Sequence, residues 1–212
     1  MSPGPLVAAV VLAAGGSERM GRPKPFLPVD PQGQVPLLVH VVEQVLAVPF
    51  AQVVVVLGHR AGEVQTLLQG RPVQVAVNRA WQEGLSTSVR CGLEALRPEV
   101  EAAAFVLGDQ VGLTAVLLRR LVQAFAATGG PIVAPEHGGR LGNPVLFHRA
   151  LFPALRTQRG DRGGRDLLRE HRDKVVTVPV DDPWELWDLD SPDDYARWLA
   201  HLRESHTPPC GG

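Results

Sequence analysis

Short, continuous apolar runs alternate with segments of helical periodicity along most of the chain. An uninterrupted apolar run of this length is typical of a strand that is buried on both faces, and apolar residues at three- and four-residue spacing indicate amphipathic helices. The predicted strands are residues 5–13, 52–58, 73–78, 102–109, 131–135 and 174–180. The predicted helices are residues 37–47, 61–69, 85–96, 113–128 and 192–204.

This alternation predicts a three-layer α/β fold, with a mostly parallel, Rossmann-like sheet between two layers of helices. We expect one domain over residues 1–204 and a disordered polar tail over residues 205–212. Ligands of such sheets bind beyond the carboxyl ends of the strands. Asn78 and Asp109 end two of the predicted strands, so both are expected at that edge.

The composition narrows the class of protein. The 212 residues carry a formal net charge of -1, which argues against a broad basic face for nucleic acid or for an acidic membrane. Cys91 and Cys210 form neither a metal-binding spacing nor a disulfide framework, so we expect a reducing, cytoplasmic location. Residues 5–14 are similar to the core of a signal peptide, but no Lys or Arg precedes them, and the strand interpretation is preferred.

The segment LAAGGSERMGRPK, residues 12–24, follows the first predicted strand and has the composition of a phosphate-binding loop. It lacks the dinucleotide fingerprint G-x-G-x-x-G. Gly16 and Gly21 have the spacing of a Walker A loop, but Pro23 follows where that loop needs a helix to begin. An ordinary P-loop ATPase is therefore a poor fit.

Backbone N–H groups at Gly15 and Gly16 can approach an anion closely because no Cβ stands in the way. Arg19 offers a planar fork for phosphate oxygens, and Lys24 offers a point charge. The alternative interpretation is a surface loop whose basic side chains are only solvated.

The same segment resembles the signature of the MobA-like nucleotidyltransferases, L-A-[AG]-G-x-S-x-R-M-G-x-x-K. Five later segments are similar to motifs of this family, and the resemblance extends over residues 8–195. Together, six weak matches in the right order form a specific signal, and they imply a sheet of the nucleotide-diphospho-sugar transferase type. The five segments are NRAWQEGLSTSVRCGL (78–93), LGDQV (107–111), GNPVLF (142–147), GDRGGR (160–165) and WDLDSPDDY (187–195).

The resemblance implies transfer of a nucleoside monophosphate from an NTP to a phosphate of a second substrate. Residues 12–15 and the Asp109-Gln110 pair follow the cytidylyl branch, which implies transfer of CMP from CTP to molybdopterin or the molybdenum cofactor, with release of pyrophosphate. The methyl group of Ala14 would also narrow the pocket in favour of a pyrimidine. Transfer of GMP, or transfer to another phosphorylated small molecule, is an alternative of the same class. A non-catalytic protein that carries the cofactor to a molybdoenzyme client is an alternative of another class.

Residue roles follow from the position of each motif and from the resemblance. Catalysis is assigned to Lys24, Arg19 and Asp109, and no general base is needed because the attacking phosphate is already ionised. Contacts with the acceptor are assigned to Asn143, Asp161 and Arg165. Contacts with the nucleotide are assigned to Leu12, Ala13, Ala14, Gly15, Gly16, Lys24, Asn78, Gly84 and Ser88.

Two reactants that are both anions call for Mg²⁺, which binds one or two carboxylates together with phosphate oxygens. Asp109 is the first predicted ligand, although acids at strand ends also serve as turn or helix-cap residues. Asp188 and Asp190 share a face if the segment is extended. Because Asp190-Ser191-Pro192 also has the pattern of a helix start, we assign Asp188 to the metal and Asp190 to the cap.

The hydroxyl side chains at residues 86–88 allow two interpretations. The family resemblance places Ser88 beside the base and ribose of the nucleotide. Hydroxyl groups at a helix start also satisfy free backbone N–H groups, which makes residues 86–88 candidate capping residues instead.

Overall fold

The predicted apolar runs form one central sheet. The computed structural model of the protein describes residues 4–205, and every predicted strand and helix is present, with ends that shift by a few residues. The strands are β1 (Val7–Ala13), β2 (Gln52–Leu57), β3 (Gln74–Val77), β4 (Ala102–Leu107), β5 (Ile132–His137), β6 (Arg140–Leu141), β7 (Val145–His148) and β8 (Val175–Pro179). The helices are α1 (Leu37–Leu46), α2 (Ala61–Thr66), α3 (Leu85–Glu94), α4 (Ala115–Thr128), α5 (Phe152–Thr157), α6 (Arg165–Glu170) and α7 (Pro192–Ser205). The predicted tail begins at the last residue of α7, and residues 206–212 lie outside the described part.

The strands follow the order β3-β2-β1-β4-β7-β5, with β8 on the far side of β5 and the short β6 paired to the end of β5. Neighbours among β3, β2, β1 and β4 are parallel, as are β5 and β8. Only β6 and β7 run antiparallel to the strands beside them within the described residues. The prediction of a mostly parallel sheet is confirmed.

Both faces of the sheet are covered by helices. Successive residues of β1 point to opposite sides, so Ala9 and Val11 pack with α1 and α7, whereas Ala8 and Val10 pack with α3 and α5. All four side chains are fully buried. This double burial explains why β1 reads as a continuous apolar run, and it confirms the three-layer arrangement.

Helix α4 begins and ends where its sequence predicts. The Thr114 hydroxyl accepts a hydrogen bond from the Leu117 N–H at 3.1 Å, and Gly129 ends the helix in the left-handed conformation, with φ of 59°. Within residues 4–205, no helix is both long enough and apolar enough to cross a membrane.

The segment between β5 and β8 contains elements that periodicity did not predict. It supplies β6, β7, α5 and α6. Strand β7 inserts between β4 and β5 and pairs with both. The carboxyl ends of β1, β3 and β4 remain together at one edge of the sheet, where the candidate site lies.

Candidate active site

A cavity of about 640 Å³ opens at the carboxyl ends of β1 and β4. One wall is the loop that follows β1, and another is the start of α3. All of the predicted nucleotide contacts except Asn78 line this cavity, as do the predicted catalytic residues. The lining residues are Leu12, Ala13, Ala14, Gly15, Gly16, Ser17, Arg19, Lys24, Pro25, Trp81, Gln82, Gly84, Leu85, Ser88, Leu107, Gly108, Asp109, Asp161 and Asp190.

The loop after β1 is held in an irregular conformation that turns Lys24 toward the cavity. Ser17 has a φ of 57°, and its hydroxyl oxygen accepts a hydrogen bond from the Lys24 N–H at 3.0 Å. The Arg19 side chain is 77% exposed at the mouth of the cavity. Arg22 turns away instead, and its guanidinium lies 5.0 Å from the centre of the Tyr195 ring. Only two of the three cations in this loop therefore face the cavity.

Lys24 and Asp109 meet directly across the cavity. The Lys24 Nζ lies 2.7 Å from Asp109 Oδ2 and 3.3 Å from Asp190 Oδ1, while its side chain is 14% exposed. Arg19 lies 3.5 Å from the same oxygen of Asp190. An ammonium group held between two carboxylates is already oriented before any ligand arrives, so little reorganisation is required of it.

A second segment of backbone fixes the position of Asp109. The Leu189 N–H donates to the Asp109 carbonyl oxygen at 2.9 Å, and the Gly112 N–H donates to the Trp187 carbonyl oxygen at 3.2 Å. A Cβ at residue 112 would lie only 1.6 Å from the Trp184 carbonyl oxygen, so only glycine fits there. The loop after β4 and the segment before α7 are therefore joined by two backbone hydrogen bonds and pack closely at Gly112.

Gln110 links these two segments to the residues that precede β7. Its side chain is fully buried, and its amide group donates to the carbonyl oxygens of Asn143 at 2.8 Å and Glu185 at 3.2 Å. The carbonyl oxygen of Asn143, a predicted acceptor contact, is therefore occupied by the hydrogen bond from Gln110. Asn143 does not line the cavity.

Asp188 is the carboxylate with the most strongly perturbed environment. Its pKa is raised from 3.8 to about 7, mainly by burial and further by the charges of Asp109 and Asp190. Lys24 and Arg165 lower it in part. Its Oδ1 is buried without a hydrogen-bond partner among the described residues. A buried, unpaired oxygen beside two other carboxylates has the character of a hard-cation ligand.

The described residues contain no group of three or more His, Cys, Asp or Glu side chains that could hold a metal by themselves. A divalent ion between Asp109 and Asp188 would therefore need ligand oxygens from elsewhere. Mg²⁺ is commonly bound in this way, by one or two carboxylates plus substrate phosphates. The donor set fits Mg²⁺ or Mn²⁺ bound together with a nucleotide.

The prediction that Asp190 caps the last helix is wrong. The Ser191 hydroxyl oxygen accepts from the Asp194 N–H at 3.2 Å, and the Asp194 carboxylate accepts from the Ser191 N–H at 2.9 Å. This reciprocal pair completes the cap of α7. The Asp190 carboxylate is thereby left to pair with the basic side chains of the cavity.

The hydroxyl groups at residues 86–88 do not cap α3. Gly84 is the N-cap residue and makes no side-chain cap, and the Leu85 N–H instead donates to the distant Asp161 carboxylate at 3.3 Å. Ser88 lines the cavity. Asn78 lies behind Ser88 and donates a hydrogen bond to the Ser88 hydroxyl oxygen. Interpreting this run as capping residues was therefore wrong.

The remaining predicted acceptor contacts differ in their location. Asp161 lines the cavity beside Gly84, where a Cβ would lie 2.5 Å from the Gly160 carbonyl carbon. Arg165 is exposed at the start of α6 and outside the lining, although its charge reaches Asp188. Trp81 was missed by residue-level reasoning; it follows Asn78 in the same motif and lines the cavity near Ala14.

Residues 9–181 match the model of the MobA-like NTP transferase domain. Among curated proteins, the nicotine blue oxidoreductase of Paenarthrobacter nicotinovorans is 30% identical over 92% of this chain and 97% of its own length. The bifunctional protein GlmU of Sorangium cellulosum is 33% identical over 82% of this chain, which spans only 36% of that protein.

Three solved structures share the fold of this chain. A homologue of Mycobacterium tuberculosis Rv0371c from Mycobacterium sp. strain JC1 has a TM-score of 0.82 and 32% identity, covering 94% of this chain and 98% of that one. Rv0371c itself, in complex with manganese, has a TM-score of 0.78 and 27% identity, covering 93% and 100%. Molybdopterin-guanine dinucleotide biosynthesis protein A of Archaeoglobus fulgidus, at 16% identity and a TM-score of 0.68 over 93% and 99%, shares the fold. The chain therefore belongs to the MobA-like NTP transferase family and is a nucleotidyltransferase.

Proposed function

We propose that the protein transfers CMP from CTP to the terminal phosphate of molybdopterin or the molybdenum cofactor, with release of pyrophosphate and dependence on Mg²⁺. The observation that carries this proposal is the contact of 2.7 Å between Lys24 Nζ and Asp109 Oδ2 in the cavity beside the glycine loop. That contact unites a phosphate-binding cation with a metal-binding carboxylate, which is the pair that nucleotidyl transfer requires.

In the proposed reaction, an ionised phosphate oxygen of the acceptor forms a bond to the α-phosphorus of CTP. The bond from that phosphorus to the β-bridging oxygen breaks, and its electron pair leaves with pyrophosphate. Lys24 and Arg19 bind the β- and γ-phosphates and offset the charge on the leaving group. Because the attacking oxygen is already ionised at neutral pH, no side chain has to remove a proton.

Asp109 and Asp188 are the residues that would hold the divalent ion. The ion supplies positive charge that screens the two anionic reactants from each other and polarises the phosphate oxygens. The orphaned, buried Oδ1 of Asp188 supports its role as a ligand, since a bound cation would remove the cost of ionising it. The complex of Rv0371c with manganese supports a divalent ion in this family.

We assign the nucleoside to the part of the cavity that is lined by Ala13, Ala14, Trp81 and Ser88. The triphosphate is assigned to the part that is lined by Gly16. A Cβ at Gly58 would lie 2.8 Å from the Ala14 Cβ, so the Ala14 methyl group packs at least partly against that backbone. The preference for cytosine therefore rests more on the resemblance to the cytidylyl branch than on this methyl group. GTP is the competing donor.

The acceptor is placed beside α6, where Arg165 would meet its phosphate and Asn143 and Asp161 shape the approach. Molybdopterin is favoured by the family resemblance, and a molybdoenzyme would be the client for the product. Another phosphorylated small molecule is the competing acceptor.

The test is release of pyrophosphate by the purified protein with Mg²⁺ or Mn²⁺, with each of the four NTPs, and with or without molybdopterin. We expect release only with CTP and acceptor together. Lys24→Gln should lower the rate by about 10²- to 10³-fold, because it removes one preorganised cation from the departing phosphates. Lys174→Gln is the matched control, since Lys174 is exposed at the amino end of β8, on the edge of the sheet opposite the cavity.

Three results would contradict the proposal. If GTP is the one NTP that supports release of pyrophosphate, GTP and not CTP is the donor. Binding of molybdopterin without turnover of any NTP would favour the carrier function. Because one relative is named an oxidoreductase, NADH and NADPH are included, and their oxidation without pyrophosphate release would indicate a different reaction.

A further inference from the structure

Asn78 sits behind the wall of the cavity with its amide orientation defined by its neighbours. It is 5% exposed and follows β3. Its Oδ1 lies 2.9 Å from the Ala80 backbone nitrogen, which can only donate. The Nδ2 group is thereby directed at two hydroxyl oxygens, Thr87 Oγ1 at 2.8 Å and Ser88 Oγ at 3.0 Å. Both N–H bonds of the amide have an acceptor in this orientation.

The hydroxyl groups must then act as acceptors toward Asn78. Thr87 uses its own proton on a backbone carbonyl, that of Gly84 at 2.8 Å or Ala80 at 3.0 Å. Ser88 accepts from Asn78, and no protein acceptor for its proton occurs within residues 4–205. Ser88 is 4% exposed, and its exposed part lines the cavity. Its O–H is therefore available as a donor to a ligand.

We propose that Asn78 is a positioning residue that makes Ser88 a hydrogen-bond donor to an acceptor oxygen of the nucleoside. This inference rests on the proposed function, because it takes the ligand to be a nucleoside triphosphate. The oxygen is the carbonyl oxygen of a pyrimidine base or a ribose hydroxyl oxygen; both accept a hydrogen bond from Ser88. Asn78 touches no ligand itself and acts on selectivity through Ser88.

Asn78→Asp provides a direct test because it reverses the hydrogen bonds with little change in shape. The new carboxylate only accepts, and the Ala80 N–H together with two hydroxyl protons favours its ionised form. Ser88 would then donate to residue 78 and present lone pairs to the cavity. A ligand oxygen facing those lone pairs would lose its hydrogen bond.

The experiment measures the affinity of the full-length protein for CTP, 2-thio-CTP and 2′-deoxy-CTP by calorimetry with Mg²⁺ and no acceptor. We expect the protein to bind CTP about 3- to 10-fold more tightly than the one analogue that lacks the contacted oxygen, which is the effect of one neutral hydrogen bond. Loss with 2-thio-CTP identifies the base carbonyl, and loss with 2′-deoxy-CTP identifies the ribose. Ser88→Ala and Asn78→Asp should each abolish this preference.

The double variant separates positioning from general disruption. If Asn78 acts through Ser88, adding Asn78→Asp to Ser88→Ala should leave the affinity ratio between CTP and each analogue unchanged, because the added charge weakens the binding of all three triphosphates alike. Ser86→Ala is the matched control, because Ser86 is a buried hydroxyl in the same turn of α3 that lacks a hydrogen-bond partner in the described part of the chain. If Asn78→Asp does not fold, Asn78→Ser tests the same point, since it removes the fixed amide donor without adding charge.

An unchanged preference in the folded Asn78 variant, or a changed affinity ratio when the Asn78 substitution is added to Ser88→Ala, would overturn the inference and leave the proposed function standing. Failure of the unaltered protein to bind any NTP would overturn both. A preference that is lost in Ser88→Ala and in the Asn78 variant, but kept in Ser86→Ala, would support the inference.

Discussion

Replacing Asp188 with Asn should stabilise the ligand-free protein at neutral and alkaline pH. The pKa of Asp188 is raised from 3.8 to about 7, so the folded state holds a proton that the unfolded chain releases. Stability therefore falls as pH rises through this window, because the native state binds more protons than the unfolded state. At about 1.4 kcal/mol for each pH unit, the ionised carboxylate costs the fold about 4 kcal/mol above pH 7. Asp188→Asn removes that cost.

The assay is chemical denaturation of both proteins at intervals from pH 4 to pH 8, with a chelator present. The free energies of unfolding should be nearly equal at pH 4 and should diverge by up to about 4 kcal/mol at pH 8. Asp181→Asn is the control, because Asp181 is exposed and should change stability by less than about 0.5 kcal/mol at any pH. Parallel pH profiles for Asp188→Asn and the unaltered protein would show that burial and like charge do not raise the pKa of Asp188.

Two further predictions concern the metal site and the loop that carries Asp109. Mn²⁺ added with CTP should raise the melting temperature of the unaltered protein above the value with CTP alone, and Asp188→Asn should lose most of this gain; an equal gain in both proteins would remove Asp188 from the metal site. Gly112→Ala should destabilise the protein by about 3 kcal/mol, since the new Cβ would lie 1.6 Å from the Trp184 carbonyl oxygen. Gly62→Ala, on α2 with open space around it, is the matched control and should leave stability unchanged or higher.

Much of the fold could be predicted because a strand that is buried on both faces has a continuous run of apolar residues in the sequence. β1, β2 and β4 are apolar at nearly every position, and each is buried along almost its full length. The segment between β5 and β8 has no such run. Strand β6 has 2 residues and β7 has 4, while α5 and α6 have 6 each. Length alone is not the reason, because β3 and α2 have 4 and 6 residues and were predicted. The short apolar stretches between β5 and β8 are instead interrupted by many Gly and Arg residues, which obscure any period.

The candidate site was predicted as a set of residues but not as a set of contacts. Strand order explains the successes: residues that follow β1 and β4 must meet, because those strands are parallel neighbours. Helix caps and hydrogen bonds between distant segments explain the errors. The roles of Asp190 and of the hydroxyl groups at residues 86–88 depended on which backbone N–H already had a partner. That question involves Ser191, Asp194 and the distant Asp161.

The amino-acid sequence is enough to identify the buried strands, and it therefore predicts that the loop carrying Lys24 and the acid Asp109 share one edge of a parallel sheet. It also predicts the family, through six motifs in order. The chemical state of each side chain depends on the folded protein: which carboxylate has a buried oxygen without a partner, which one pairs with Lys24, and in which direction the Ser88 hydroxyl donates. Burial and hydrogen-bond direction depend on every group that surrounds an atom, and those groups come from distant parts of the chain. A local pattern of residues is enough to predict a strand. The ionisation state of a carboxylate and the direction of a hydroxyl hydrogen bond depend on neighbours that only folding brings together.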